Sequence, residues 1–229
     1  LDRACARVSR PGRATGLAAV GFAALALAGL PQLARTHSPA MELGVQNLLR
    51  SLPRDAIAVV SDDDQCIGGR YLQLARGERP DVALICSGLV LLRWYRDAWA
   101  SRGVAFPPAS GRSLGGALLG TGRAVFVDPA MTRVLAAFPS YPFGVLRRVL
   151  PPAASPPPAL EVAMINRDLY RAFDLDYPRP GQGDGYAATA HHRYAASWAA
   201  IARLLDAAGD RDGARDAFEV TRSLQPAPD

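Results

Sequence analysis

The sequence predicts an α/β fold: one N-terminal transmembrane helix, a small parallel-sheet α/β domain, then an all-α tetratricopeptide-like helical cap. Three observations predict it. Residues 14–30 carry no charge, and three short apolar runs at 56–60, 82–86 and 124–127 are separated by segments with helical spacing. After the stretch PPAASPPP at 151–158 the strand-like runs stop and helical spacing takes over. Strands alternating with helices are the pattern of a parallel sheet covered by helices.

Composition narrows the chemistry. The 229 residues are 49% hydrophobic, enough to bury a core. All 26 basic residues are Arg, since the sequence contains no Lys. A phosphate loop that needs its Lys and a Schiff-base enzyme that needs an amine are therefore both excluded. The glycine-rich run from Gly111 to Gly122 reads as a loop. Arg3, Arg7, Arg10 and Arg13 supply much of the net charge of +5, and no basic stripe with interleaved aromatics follows them. Nucleic acid is not an expected partner. Of the three cysteines, Cys66 and Cys86 fall near the ends of two expected strands and read as small residues beside the core, pairing in an oxidising compartment being the alternative.

In chain order, residues 1–13 form an Arg-rich flank expected on the cytoplasmic side, and 14–33 a spanning helix, which puts the rest of the chain across the membrane. A secretory signal peptide cleaved near Ala26-Leu27-Ala28 has the same layout. The chain begins at Leu1 rather than Met and reads as a piece of something longer. Leu43, Val45, Leu48 and Leu49 give Met41 to Ser51 an amphipathic face, and Pro53 ends that helix. The α/β domain occupies 40–150, with helices expected at 69–76, 89–102 and 129–137 and an edge strand at 143–150. Residues 151–159 are a stiff linker.

Residues 160–229 are helical, broken by the flexible turn YPRPGQGDG at 177–185. Within them Trp198, Gly209, Ala214, Phe218 and Pro226 follow the tetratricopeptide spacing. Gly209 permits the turn, Ala214 lets two helices approach, and Trp198 with Phe218 fills the space between them. One hairpin cannot bury its own face, so a neighbour such as the helix at 161–173 is expected to cover it.

The acids Asp62, Asp63 and Asp64 directly follow the first apolar run. An Asp-x-Asp after a strand holds a divalent cation in some nucleotide-sugar transferases, but no second acidic cluster or nucleotide loop accompanies this one. The competing reading is that one Asp caps the following helix while the others favour its positive end. Strand C-termini in open α/β sheets are where ligands bind, so the acids face the useful rim either way. Trp94, Tyr95 and Trp99 share a helix, where packing competes with a carbohydrate platform. His191 and His192 are adjacent and point apart on a helix, so solvent exposure is expected rather than a shared metal. No Gly-x-Ser-x-Gly elbow supports a serine hydrolase.

Several linked segments carry a family resemblance: Asn47-Leu48-Leu49-Arg50-Ser51-Leu52-Pro53, Tyr71-Leu72-Gln73, Gly77 with Arg79-Pro80-Asp81-Val82, and Trp94-Tyr95. They resemble the C-terminal part of the protein O-mannosyltransferase-like domain-of-unknown-function family of multi-spanning bacterial membrane proteins. Ser61-Asp62-Asp63-Asp64-Gln65 departs from that family's turn, keeping acids at Asp62 and Asp64 but losing its Gly, Asn and Thr, and Arg70 replaces a Pro.

The resemblance implies a glycosyltransferase of the lipid-linked-sugar class, with a polyprenyl-phosphate sugar donor for the full protein and no cofactor in this chain. It also implies a bacterial inner membrane, with residues after about 34 on the periplasmic or outer side. The family's catalytic acid lies in a loop before this region, so no catalytic residue and no metal ligand is assigned here. The chain is expected to be an accessory region that binds acceptor protein or glycan or stabilises the membrane part. Its candidate ligand contacts are Asp62, Asp63, Asp64, Tyr71, Trp94 and Tyr95. The alternatives are a tethered scaffold docking a protein partner through the helical cap, and a metal-dependent transferase using Asp62 and Asp64.

Overall fold

A computed structural model describes residues 11–36 and 38–228, and the side chains of 15–30 and 38–228. The expected flank at 1–13 lies mostly outside the described residues. The chain divides into two compact units after Ser38.

The first unit holds α1 (Pro11–Thr36). Its Ala- and Leu-rich composition suits a helix, but among the described residues no helix is long and apolar enough to cross a membrane. The expected transmembrane helix at 14–33 is thereby overturned, and with it the bacterial inner-membrane placement. A span must present apolar surface to the hydrocarbon core, and residues 15–30 present it thinly. Nine of those residues are Ala or Gly, which bring little apolar surface.

The second unit is Pro39–Asp229. It begins with α2 (Ala40–Ser51), followed by β1 (Ile57–Val60), α3 (Asp63–Ala75), β2 (Ala83–Cys86), α4 (Arg93–Ala100), α5 (Arg112–Leu119), β3 (Val125–Val127), the short α6 (Thr132–Leu135), β4 (Ser140–Phe143) and β5 (Leu146–Val149). The helices α7 (Ala159–Arg171), α8 (Tyr186–Ala207) and α9 (Arg211–Leu224) complete it. The five strands form one sheet in the order β2-β1-β3-β5-β4.

The first three strands are parallel, Ile57 sitting opposite Ala83 on one side and Val125 on the other. β5 runs antiparallel to β3 and to β4, so the sheet is mixed rather than the expected parallel one. The region expected as one edge strand is a hairpin that turns at Gly144 and Val145, where Gly144 adopts φ +58°. β5 is consequently an inner strand despite its two arginines. Arg147 hydrogen-bonds Ser140 across the hairpin, and Arg148 lies 4.9 Å from the Phe126 ring centroid. Beyond it, β4 is the edge, and the buried Asn166 of α7 covers its end. Asn166 donates to the carbonyls of Pro142 and Val162 and accepts from the Gly144 N–H.

Alternate residues of the strands feed two cores. Ile57, Val59, Ile85, Val125 and Val127 pack toward Tyr95, Trp99, Leu114, Leu118 and Phe138 on one face. Ala58, Val60, Leu84 and Phe126 pack toward Leu48, Leu49 and Leu72 on the other. A strand buried on both faces needs apolar residues throughout, which is why these runs do not alternate.

Residues expected as a glycine-rich loop form α5. A Cβ on Gly115 would lie 2.6 Å from the Phe138 ring, so this glycine serves close packing rather than flexibility. Cys66 and Cys86 are joined by a disulfide with Cα atoms 5.4 Å apart, tying α3 to the end of β2. The reading of the two cysteines as unpaired core residues is therefore replaced.

In the helical part, Trp198, Ile201, Ala202, Leu205, Ala214 and Ala217 form a third core between α8 and α9. Gly209 turns the chain at φ +86°, and the Asp210 carboxylate caps α9 by accepting from the Gly213 N–H. Phe218 is 43% exposed, while Pro226 is buried. Tyr194 of α8 belongs to the core beneath the sheet, so α8 packs on the α/β layers as well as on α9.

Candidate functional site

The strand order places the sheet's switch point between β1 and β3, whose crossovers lead away in opposite directions. Ligands bind at that point in open α/β sheets, in the crevice outside the strand C-termini. Two acids stand at this rim: Asp62 two residues after β1, and Asp128 immediately after β3.

Asp62 occupies the N-cap position of α3, yet its side chain makes no capping hydrogen bond. It reaches instead to Arg193 of α8. The Arg193 guanidinium donates to Asp64 Oδ2 at 2.6 Å and Oδ1 at 2.8 Å, and to Asp62 Oδ2 at 2.6 Å. Burial would lower the Arg193 pKa, but the hydrogen bonds to Asp64 and Asp62 outweigh it and hold the group above its ordinary value. Asp64 is buried, whereas Asp63 is exposed. The acids thus act as a clamp that fixes α8 to the first strand-to-helix turn. Among the described residues no group of three or more His, Cys, Asp or Glu is arranged to hold a metal.

Asp128 is different. Burial raises its carboxyl above the ordinary range, the Ala130 N–H donated at 2.7 Å opposes the rise, and the charge of Asp62 adds to it. A carboxyl that holds its proton unusually well at a strand C-terminus is equipped to donate a hydrogen bond or move a proton at the rim. The same end of the sheet carries a cleft of about 410 Å³ between α8 and the β4–β5 hairpin. Pro129, Pro142, Val145, Leu146, Ala200 and Arg147 contribute to its mostly apolar wall. The register puts Arg147 beside Val127, one residue before Asp128.

The remaining sequence candidates scatter. Tyr71 is exposed on α3 with the Arg76 guanidinium 5.8 Å from its ring. Trp94 is exposed on α4 and meets Tyr95 edge to face at 5.6 Å. Tyr95 is buried, and its hydroxyl accepts from the Cys86 N–H at 2.8 Å, a structural task. His191 is buried rather than exposed, set between the Leu224 carbonyl and the Tyr177 hydroxyl, while His192 is exposed.

The segments that carried the resemblance prove to be staples. Asn47 donates to the Asp174 carbonyl and the Tyr194 hydroxyl and accepts from the Asp174 N–H. Arg79, at φ +46°, donates to the carbonyls of Leu49, Leu52 and Pro53 and grips Asp81 with two nitrogens. Gln73 donates to the carbonyls of Arg79 and Val82. Together they lock α2, α3 and the start of β2 into one block, and none of these contacts needs a ligand.

A mixed α/β unit with an acid-bearing switch point is the class of protein defined by this geometry. No family model matches the chain, and no solved structure matches it. A stretch of 64 residues, 27% of the chain, is 39% identical to Protein O-mannosyl-transferase TMEM260 of Mus musculus. The match spans 9% of that mouse protein. The similarity is local and agrees with an O-mannosyltransferase-like relation. No family match accompanies the tetratricopeptide spacing of 198–226.

Proposed function

We propose that this chain is an accessory region of an O-mannosyltransferase-like glycosyltransferase, holding acceptor polypeptide in the cleft between α8 and the β4–β5 hairpin. The observation that carries the reading is the 64-residue similarity to a protein named as an O-mannosyltransferase. The apolar wall of the cleft suits small apolar side chains of a polypeptide, and Ser140, Arg147 and Arg203 are the polar residues along it that can meet the backbone or a hydroxyl.

The test is fluorescence polarisation of labelled Ser/Thr-rich peptides titrated with the full chain. Saturable binding is expected, weakened at least tenfold in Ala200→Trp, which fills the cleft from its partly exposed α8 wall. The reading fails if no peptide binds saturably, or if Ala200→Trp binds as tightly as the parent.

A further inference from the structure

A second cleft, of about 360 Å³, opens beside the N-terminal ends of β2 and β3 and is lined by Arg70, Gln73, Asp81, Trp99, Arg102 and Arg123 among others. Its charges do not cancel. Arg70 of α3 and Arg102 after α4 hold their guanidinium carbons 5.7 Å and 5.4 Å from the centroid of the same Trp99 ring. Among the described residues neither has a carboxylate within ion-pair distance. Arg123 spends its hydrogen bonds on the backbone carbonyls of Asp55, Ala56 and Asp81, which leaves its charge uncompensated. The acid on the cleft wall, Asp81, is already gripped by Arg79 at 2.8 Å and 2.9 Å and accepts from the Asp55 N–H.

We infer that this cleft binds the phosphoryl group of a small phosphorylated molecule. Two guanidinium groups not bound to a carboxylate, Arg70 and Arg102, line a cavity with no free carboxylate among its lining residues, and Arg123 adds positive charge to the wall while its hydrogen bonds go to backbone carbonyls. Guanidinium forks match tetrahedral oxyanions, donating two parallel hydrogen bonds each. The buried indole orients Arg70 and Arg102 before any ligand arrives, which reduces the ordering cost of binding. The volume exceeds what one phosphate fills, so the remainder accommodates the organic part. This cleft stands at the strand ends opposite the acid-bearing rim, and the inference does not depend on the acceptor-binding reading.

Calorimetric titration of the full chain with inorganic phosphate, glucose 6-phosphate and glucose tests it, with the Trp99 indole N–H followed by NMR. Both phosphates are expected to bind and shift that resonance, and glucose to do neither. Tighter binding of the sugar phosphate identifies an ester as the ligand, and equal binding identifies free phosphate. Arg70→Gln and Arg102→Gln are each expected to weaken phosphate binding at least tenfold. Arg102→Lys should recover only part, because it restores charge without the fork. Arg215→Gln, at an exposed helix position paired with Asp212, serves as the control and should bind as the parent does. The inference is overturned if neither phosphate binds, or if the Arg70→Gln/Arg102→Gln chain, folded by circular dichroism, binds within twofold of the parent.

Discussion

Arg193 is the residue on which the first strand-to-helix turn depends. It is the partner of Asp64, whose side chain is only 2% exposed, and removing it strands a carboxylate in the interior. Arg193→Ala is expected to cost about 3 kcal/mol, since breaking a buried pair from one side is far worse than never having it. Urea denaturation measures this, and adding Asp64→Leu to the same chain should return a large part of the loss. If the double variant is no more stable than the single one, the stranded Asp64 carboxylate is not the source of the loss. The three acids were legible in the sequence as a feature of the rim, and their partner was not. Arg193 lies 129 residues beyond Asp64, and nothing in its own neighbourhood distinguishes it from the other arginines. Asp128 left a better signal, because it directly follows the apolar run 125–127, which is where a strand-end acid belongs.

At the scale of elements, the strands β1, β2 and β3 could be read from their apolar runs, since a strand buried on both faces leaves that pattern. Two elements could not. The hairpin was hidden because β5 carries Arg147 and Arg148, and only the paired structure reveals Ser140 and the Phe126 ring as their partners. α5 was hidden because glycine density argues for a loop, whereas Gly115 is required by Phe138, far off in sequence. The Cys66–Cys86 bond was equally undetermined by spacing, and it joins elements 20 residues apart. Closing a loop of that length is expected to contribute about 3 kcal/mol by restricting the unfolded chain. Urea midpoints with and without dithiothreitol report this directly. Equal midpoints, with thiol titration showing full reduction, would mean the bond adds nothing to stability.

Across the whole molecule, three groups of the described residues that are pushed away from their ordinary values shape the pH dependence of stability between acid and neutral pH. His191 is shifted down, first by burial and then by the nearby positive charges, against the opposing effect of the Leu224 carbonyl. As pH falls below the usual imidazole range the unfolded chain takes up the proton first, so stability drops between about pH 7 and pH 5. Asp81 is held down at about 2, chiefly by its hydrogen bonds from Arg79, so its contribution is present above about pH 4 and is lost as pH falls from there through 2. Asp128 has the opposite sign. Burial raises its carboxyl, so the folded chain keeps that proton longer than the unfolded one, and stability declines as pH climbs through the ordinary carboxylate range. The urea midpoint should therefore rise steeply from pH 2 to 4, flatten where Asp128 opposes, and rise again toward pH 7. His191→Gln should flatten the upper rise, and Asp128→Asn should remove the shoulder and leave a continuous climb. The two variants act on segments of the curve separated by about two pH units, so each checks the other. An upper rise that survives His191→Gln unchanged would show that the proton is taken up elsewhere, and that the contact joining α8 to the Leu224 carbonyl and the Tyr177 hydroxyl does not govern acid sensitivity.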